Sequence, residues 1–320
     1  MAGANIVIVS ILSVVVLVAN CAVCVLVFIK RNLRTYTNGF IVSLALSDIL
    51  VGVTLFLQYA LNIEAPVLLN ILYTTALVGS VANLTAVTFD RHLACTQPFN
   101  YNNIIAKYFV KIVVFCWITA VTSALLPLSW AGSPSAALAL KIYQFCILIL
   151  GIAAPYTCIF LCYLRIFRQI YKIVKREKEL AMSLQGSHHP CERTRRISSE
   201  AKVAKVFSAI AVMFVLSWLP IIWTTLVYAI GKPHLLPKAM LYLSPFTLAF
   251  GSIINPILYS FMKPDFKHVC KRLFCLISLP KLSLNNDLRS PNNSQSLSRA
   301  TSETKSASRL PLHHMEQTNI

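Results

Sequence analysis

Charge is what this chain of 320 residues has least of. Asp, Glu, Lys and Arg together make up 12% of it, hydrophobic residues 57%, and the mean hydropathy is +0.67. A soluble chain carries about 25% charged residues. This one cannot clothe a globule in polar surface, so lipid must stand in for much of its solvent. Acidic residues are scarcest, 11 against 29 Lys and Arg, for a formal charge of +18. That deficit removes several chemistries. No apolar run carries paired carboxylates, a His-Glu-x-x-His metal motif or a Ser-His pair, which argues against an intramembrane protease. Only Asp48 lies at mid-membrane depth, whereas a transporter needs coupling charges on several helices. Also missing are a fixed-period repeat and the apolar–polar alternation of membrane barrel strands.

What the chain has instead is long uncharged runs. Ile6–Ile29, Asn38–Asn62 (broken only by Asp48), Ala65–Phe89, Ile112–Trp130, Ile142–Leu164, Val206–Ile230 and Ala239–Met262 each reach the ~20 residues that cross a bilayer. Backbone groups in lipid must bond internally, so seven helices are expected, with Gly132-Ser133-Pro134-Ser135 as a loop between the fourth and fifth. The first run exceeds the ~7–15-residue apolar stretch of a signal peptide and reads as a retained span. With the N-terminus outside, 26 of the 29 basic residues fall on the inner side, leaving Lys141, Lys232 and Lys238 outside. The positive-inside rule therefore predicts an extracellular N-terminus and a cytoplasmic C-terminus. The +18 then belongs to membrane lipids of the inner leaflet, not to nucleic acid. Residues 1–276 are expected to form the bundle, and the Ser-, Asn- and Thr-rich stretch 277–320 a disordered cytoplasmic tail.

Polar groups inside the runs are the candidate machinery. Asp48 could be met by Asn20, Ser80, Ser252 and Asn255. Such a cluster is either structural glue between helices or a small-cation site, for Na⁺, coupled to a conformational switch. Asp90-Arg91-His92 ends the third run, and Glu200 can reach Arg91 across the inner mouth. The pair is either a snorkelling couple or a latch between two helix ends. Phe214 to Pro220 places a helix-kinking proline beside Trp218, and Pro155 and Pro256 offer further kinks.

Taken together these residues resemble the rhodopsin-like (class A) G-protein-coupled receptors. The resemblance runs from about Ile6 to Cys275. It is carried by Asn20, Leu44-Ala45-Leu46-Ser47-Asp48, Asp90-Arg91-His92, Trp117, Pro155, Tyr163, Trp218-Leu219-Pro220 and Asn255-Pro256-Ile257-Leu258-Tyr259. Lys263–Cys275, with Phe266, resembles the family's short amphipathic eighth helix. The resemblance implies an all-α seven-transmembrane bundle in the plasma membrane, not an enzyme, that promotes GDP/GTP exchange on a heterotrimeric G protein. It gives Arg91 to the G protein once its latch to Asp90 and Glu200 opens, and makes Phe99 a hydrophobic plug. Trp218 and Phe214 become relays to the sixth helix, and Tyr163, Asn255, Pro256 and Tyr259 parts of the switch. Arrestin and receptor kinases are implied for the Ser/Thr-rich tail, and palmitoylation for Cys270 and Cys275.

The chain departs from the family pattern in places. None of its ten cysteines lies in an outer loop, so the usual staple from the third span to the second outer loop is absent. Gly251 stands where an Asn often helps the Na⁺ site. No Asp falls at Tyr73 to hold an amine, and no Schiff-base Lys falls at Ala249 to hold retinal. The pocket expected from the resemblance is lined by Gln58, Tyr59, Tyr73, Thr74, Leu77, Trp218, Ile221, Ile222, Thr225, Pro245 and Ala249. It suits a small, weakly polar or apolar, odorant-like ligand. Phe40 to Ala45 and Tyr163 to Phe167 are similar to adenosine receptors, which keeps a nucleoside as the alternative. There the adenine-binding Asn falls at Thr225 and a Ser-His pair at Leu248-Ala249.

Overall fold

A computed structural model describes the backbone of residues 2–183, 192–263 and 266–270 and most of the side chains along it. Seven of its helices are long and apolar enough to cross a membrane, and no strand occurs among the described residues. The protein is an all-α, multi-pass membrane bundle.

Local chemistry sets the ends of these helices. The first span, Ala2–Ile29, carries no charge and stops at Lys30. The Arg34 guanidinium folds back to donate to the Phe28 carbonyl, satisfying an acceptor the helix end leaves open. Thr35 caps the second span, Tyr36–Leu55, its hydroxyl accepting the Asn38 N–H at 3.2 Å. That span loosens into the π-turn Phe56–Ala60, and Asn62 then takes a left-handed φ of 49°. Pro66 opens the third span, Pro66–Thr96, where its missing N–H costs nothing. The fourth, Tyr101–Leu125, tightens into a 3₁₀ turn, Leu126–Trp130, that contains Pro127.

The fifth span is continuous from Ala136–Cys146 through a π segment, Ile147–Ala153, into Ala154–Ser183. Its wide turns come just before Pro155, where a missing N–H makes the regular ladder impossible. The sixth helix is Glu192–Ala229 with Pro220 inside it, and the seventh Lys238–Met262 with Pro245 and Pro256.

Hydropathy placed several boundaries wrongly. The fourth helix begins at Tyr101 rather than Ile112 and the fifth at Ala136 rather than Ile142, while the fifth and sixth extend beyond their apolar runs to Ser183 and from Glu192, as helical extensions into the charged connection. Helices project past the hydrocarbon on amphipathic turns, which an apolar-run criterion cannot see. Lys107 and Lys111 sit on one such turn, over the Tyr108 ring.

The third span runs through the middle of the bundle against the second, fourth, fifth and sixth, while the first packs on the second and seventh. Large apolar residues are split between two solvents. Phe40, Ile41, Leu44 and Leu84 are fully buried, whereas Val18, Phe115, Leu150 and Phe160 face outward where lipid lies. Polar groups share one another where lipid offers no partner. Ser43 Oγ donates to Asn83 Oδ1 at 2.7 Å and accepts from Trp117 Nε1 at 2.9 Å, tying the second, third and fourth spans.

Residues 266–270 are helical and Phe266 is fully buried. Lys263 donates to Asn38 Oδ1 and lies 5.6 Å from the Phe266 ring centroid. Cys275 and the tail 277–320 lie outside the described residues, so the expected eighth helix is followed only as far as Cys270.

Candidate functional site

Three groups of polar or aromatic residues lie along the axis of the bundle. At one end is a cavity of about 540 Å³, walled by the third, fifth, sixth and seventh spans and the turn after the fourth. Of the expected pocket residues, Tyr73, Thr74, Leu77, Trp218, Ile221 and Thr225 line it. Ile222, Pro245 and Ala249 do not. Ile222 packs into the partly buried core one step round the helix from Ile221, and Pro245 and Ala249 are buried between helices. Gln58 and Tyr59 line a separate chamber of about 440 Å³ beside the connection between the second and third spans. Tyr73 joins the two chambers, donating from its hydroxyl to Gln58 Oε1 at 2.7 Å.

Sequence reasoning missed Asn70, Trp130, Tyr143, Gln144 and Ser244, which also line the larger cavity. Tyr143 Oη donates to the Ser123 carbonyl at 2.8 Å, and its ring meets Trp130 with centroids 5.9 Å apart. Tyr143 and Gln144 belong to the first helical stretch of the fifth span, Ala136–Cys146. No charged side chain is among the described lining residues. Thr225 and Thr224 spend their hydroxyls on Ile221 and Pro220 carbonyls, and Leu248 and Ala249 are buried in the core. At the positions corresponding to a nucleoside-binding Asn and Ser-His pair, the chain thus has a hydroxyl whose proton is already engaged and two buried apolar side chains.

Midway along, Asp48 Oδ1 accepts from Ser252 Oγ at 3.0 Å and Oδ2 from Asn255 Nδ2 at 2.8 Å. Asn20 donates to the Ser252 carbonyl at 3.2 Å. Asn20 Oδ1 and Ser80 Oγ are fully buried with no hydrogen-bond partner among the described residues. A carboxylate with spare neutral oxygens on adjoining spans is the donor set that suits a hard cation, so these residues fit Na⁺. Gly251 supplies no oxygen. The sixth span fills its place instead, for a Cβ at 251 would overlap Ser217 Cβ and Oγ.

The other end holds the ion pair. Asp90 is fully buried and Arg91 6% exposed. The guanidinium donates to Asp90 Oδ2 through Nε at 2.9 Å and Nη2 at 2.6 Å. Two further donors converge on the carboxylate: Thr37 Oγ1 on Oδ2 at 3.0 Å and Tyr101 Oη on Oδ1 at 2.7 Å. Arg91 also donates to Thr37. Asp90 is thus clasped from the second, third and fourth spans. Thr37 and Tyr101 were missed from sequence because they carry no charge and sit at helix starts.

Tyr163 is buried beside this cluster, its hydroxyl accepting from Thr88 Oγ1 at 3.4 Å. Phe99, in the turn after the third span, is 87% exposed. Pro256 is buried in the seventh helix. The side chains of Glu200, Phe214 and Tyr259 lie outside the described residues.

Known proteins are similar to this chain. The family model described as 7 transmembrane receptor (rhodopsin family) matches residues 19–259. Melanopsin of Homo sapiens is 26% identical over 323 residues, 90% of this chain and 66% of its own. The histamine H2 receptor of Cavia porcellus is 30% identical over 315 residues, 90% of this chain and 84% of its own. The adenosine receptor A2a of Canis lupus familiaris is 26% identical over 298 residues, 82% and 70% respectively. The chain spans between 57% and 66% of the length of three melanopsins that it matches.

Proposed function

The chain belongs to the rhodopsin family of seven-transmembrane receptors, and from that premise we propose that it couples binding of a small uncharged ligand to GDP/GTP exchange on a heterotrimeric G protein. The observation that carries this reading is the pairing of an uncharged cavity at one end with a closed Asp90–Arg91 clasp at the other. Trp218 lines the cavity and is itself almost fully buried, so a ligand that displaces it acts on the packing of the sixth helix.

The ligand's work is a population shift. It favours the open inner mouth only by the difference between its affinities for the two states. Opening frees Arg91 for the G protein, with Phe99 as the apolar plug of the docking surface and Tyr163 and Tyr259 holding the opened helices apart. The Asp90 end is cytoplasmic in this reading and the cavity end extracellular, in the plasma membrane, as the distribution of basic residues supports.

The cavity favours a weakly polar or apolar, odorant-like molecule over a nucleoside, since Thr225 is turned back onto its own helix. Ala249 has no amine with which to form an imine, so a covalently held chromophore is excluded. Na⁺ is proposed at Asp48, Ser80, Ser252 and Asn255 as an ion that steadies the closed state. Receptor kinases and arrestin are proposed at the tail, and acylation at Cys270 and Cys275.

The test is nucleotide exchange on purified G protein by the full chain in lipid nanodiscs, with and without a panel of neutral volatile and lipid-like ligands. Exchange accelerated by wild type and lost in Arg91→Ala is the expected result. Equal exchange by the two proteins overturns the assignment.

A further inference from the structure

The smaller chamber has a charge character that the larger one lacks. It is formed where the second span ends and the third begins, and Glu64 stands on its rim. Ten of the chain's 11 acidic residues lie elsewhere. Asp48 is mid-span, Asp90 is at the opposite end, and the rest lie toward the end of the fifth helix, at the start of the sixth or beyond the seventh. Glu64 is therefore the one carboxylate that the sequence places at the cavity end. The other charged residues there, Lys141, Lys232 and Lys238, are not among those lining this chamber.

The remaining polar lining points the same way. Tyr59 offers a ring face, and Gln58 and Asn62 offer amide oxygens, so no described lining residue carries positive charge. The helix ends do not reverse this. The second span brings its negative carboxyl end to the chamber and the third its positive amino end, two partial charges that roughly offset. The full charge on Glu64 decides the sign. A carboxylate beside an aromatic face and neutral oxygens is a receiver for an organic ammonium, which gains from ion pairing and from the ring quadrupole together.

We propose that this chamber is a recognition site for an organic ammonium group, separate from the uncharged main cavity and joined to it through the Gln58–Tyr73 hydrogen bond. An ammonium that donates to the Gln58 oxygen shares that acceptor with the Tyr73 hydroxyl and weakens its hold, and Tyr73 lines the main cavity. Occupancy of the small chamber is thereby felt in the large one. The inference rests on the receptor reading for its importance in signalling, but not for its physical content.

The test uses the full chain in nanodiscs of zwitterionic lipid, which does not itself attract cations. Two probes of matched shape, phenethylammonium and uncharged 2-phenylethanol, are titrated by saturation-transfer-difference NMR. Glu64→Gln is expected to weaken phenethylammonium about five-fold, the worth of an exposed ion pair of roughly 1 kcal/mol, and to leave 2-phenylethanol unchanged. Glu64→Asp is expected to restore most of the loss, and Tyr73→Phe to alter 2-phenylethanol binding in the presence of phenethylammonium.

Equal binding of phenethylammonium by wild type and Glu64→Gln overturns the proposal. So does a loss of both probes in Glu64→Gln, which would make Glu64 merely structural. Nucleotide exchange is no part of this readout, so a chain that activates no G protein leaves the result standing.

Discussion

Gly251 offers a direct way to move the sixth helix from within. A Cβ added there would overlap both Cβ and Oγ of Ser217, the residue before Trp218. Carbon–carbon contact takes about 3.5–4.0 Å, so Gly251→Ala must part the sixth and seventh helices by on the order of 1 Å. Overpacking of this kind costs about 1–3 kcal/mol. The strain falls on the state in which the two helices are closest, which in the proposed mechanism is the closed one. A bias of even about 1 kcal/mol then raises the open population roughly five-fold.

Two assays read the same substitution. Basal nucleotide exchange should rise about five-fold, and the thermal midpoint of the solubilised receptor should fall by several degrees. The rescue is specific. Ser217→Ala removes the Oγ overlap but keeps the clashing Cβ and should restore Gly251→Ala only in part, whereas Ser217→Gly removes both and should restore both measurements. The coupling energy of the Gly251→Ala, Ser217→Gly cycle is expected within about 0.5–3 kcal/mol, as for residues in contact. A Gly251→Ala receptor as stable and as quiet as wild type, or equal rescue by Ser217→Ala, refutes the reasoning.

Tyr101→Phe removes the 2.7 Å donor to Asp90 while keeping the ring. Hydrogen bonds to charged groups are worth about 1.5–3 kcal/mol, and at this half-buried hydroxyl about 1 kcal/mol is expected, for a roughly five-fold rise in basal exchange. Thr37→Val should act in the same direction, and an unchanged rate in both would take the clasp out of the switch. Sodium should raise the melting temperature of the wild-type receptor relative to choline at equal ionic strength, because a ligand of the folded state stabilises it by mass action. Asp48→Asn should erase that difference, and a wild type indifferent to sodium removes the ion from the account.

The seven spans were legible because each needs one property, apolar length, that composition displays directly. Their ends were not. The charge at Lys141 cuts the apolar run there, yet the fifth helix begins at Ala136; Tyr143 and Gln144 lay inside the expected span, but which face of it meets the cavity depends on how that helix packs. Gln58 and Tyr59 went astray for a different reason. The π-turn Phe56–Ala60 adds a residue to the helical repeat, which rotates the later side chains by roughly 100° relative to a regular helix. A face drawn by counting along an ideal helix then points into the wrong chamber. The charged latch was readable as Asp90-Arg91, while its neutral members Thr37 and Tyr101 depend on which helix starts lie side by side.

The missing outer staple bears on how the cavity is roofed. The turn after the fourth span hangs on the Trp130–Tyr143 ring contact and on the Tyr143 hydroxyl donating to the Ser123 carbonyl. An aromatic pair contributes about 0.5–1.5 kcal/mol and a neutral hydrogen bond about 0.5–1.5 kcal/mol. A disulfide contributes about 2–4 kcal/mol and cannot come apart thermally. The roof is therefore comparable in strength to a staple only when both contacts hold, and unlike a staple it opens one contact at a time. Rapid ligand exchange is the expected consequence, in keeping with the small uncharged ligand proposed above. Tyr143→Phe keeps the ring contact and loses the hydroxyl, so it should speed dissociation of any ligand that exchange assays identify; an unaltered off-rate would mean that the roof is held by something other than these two contacts.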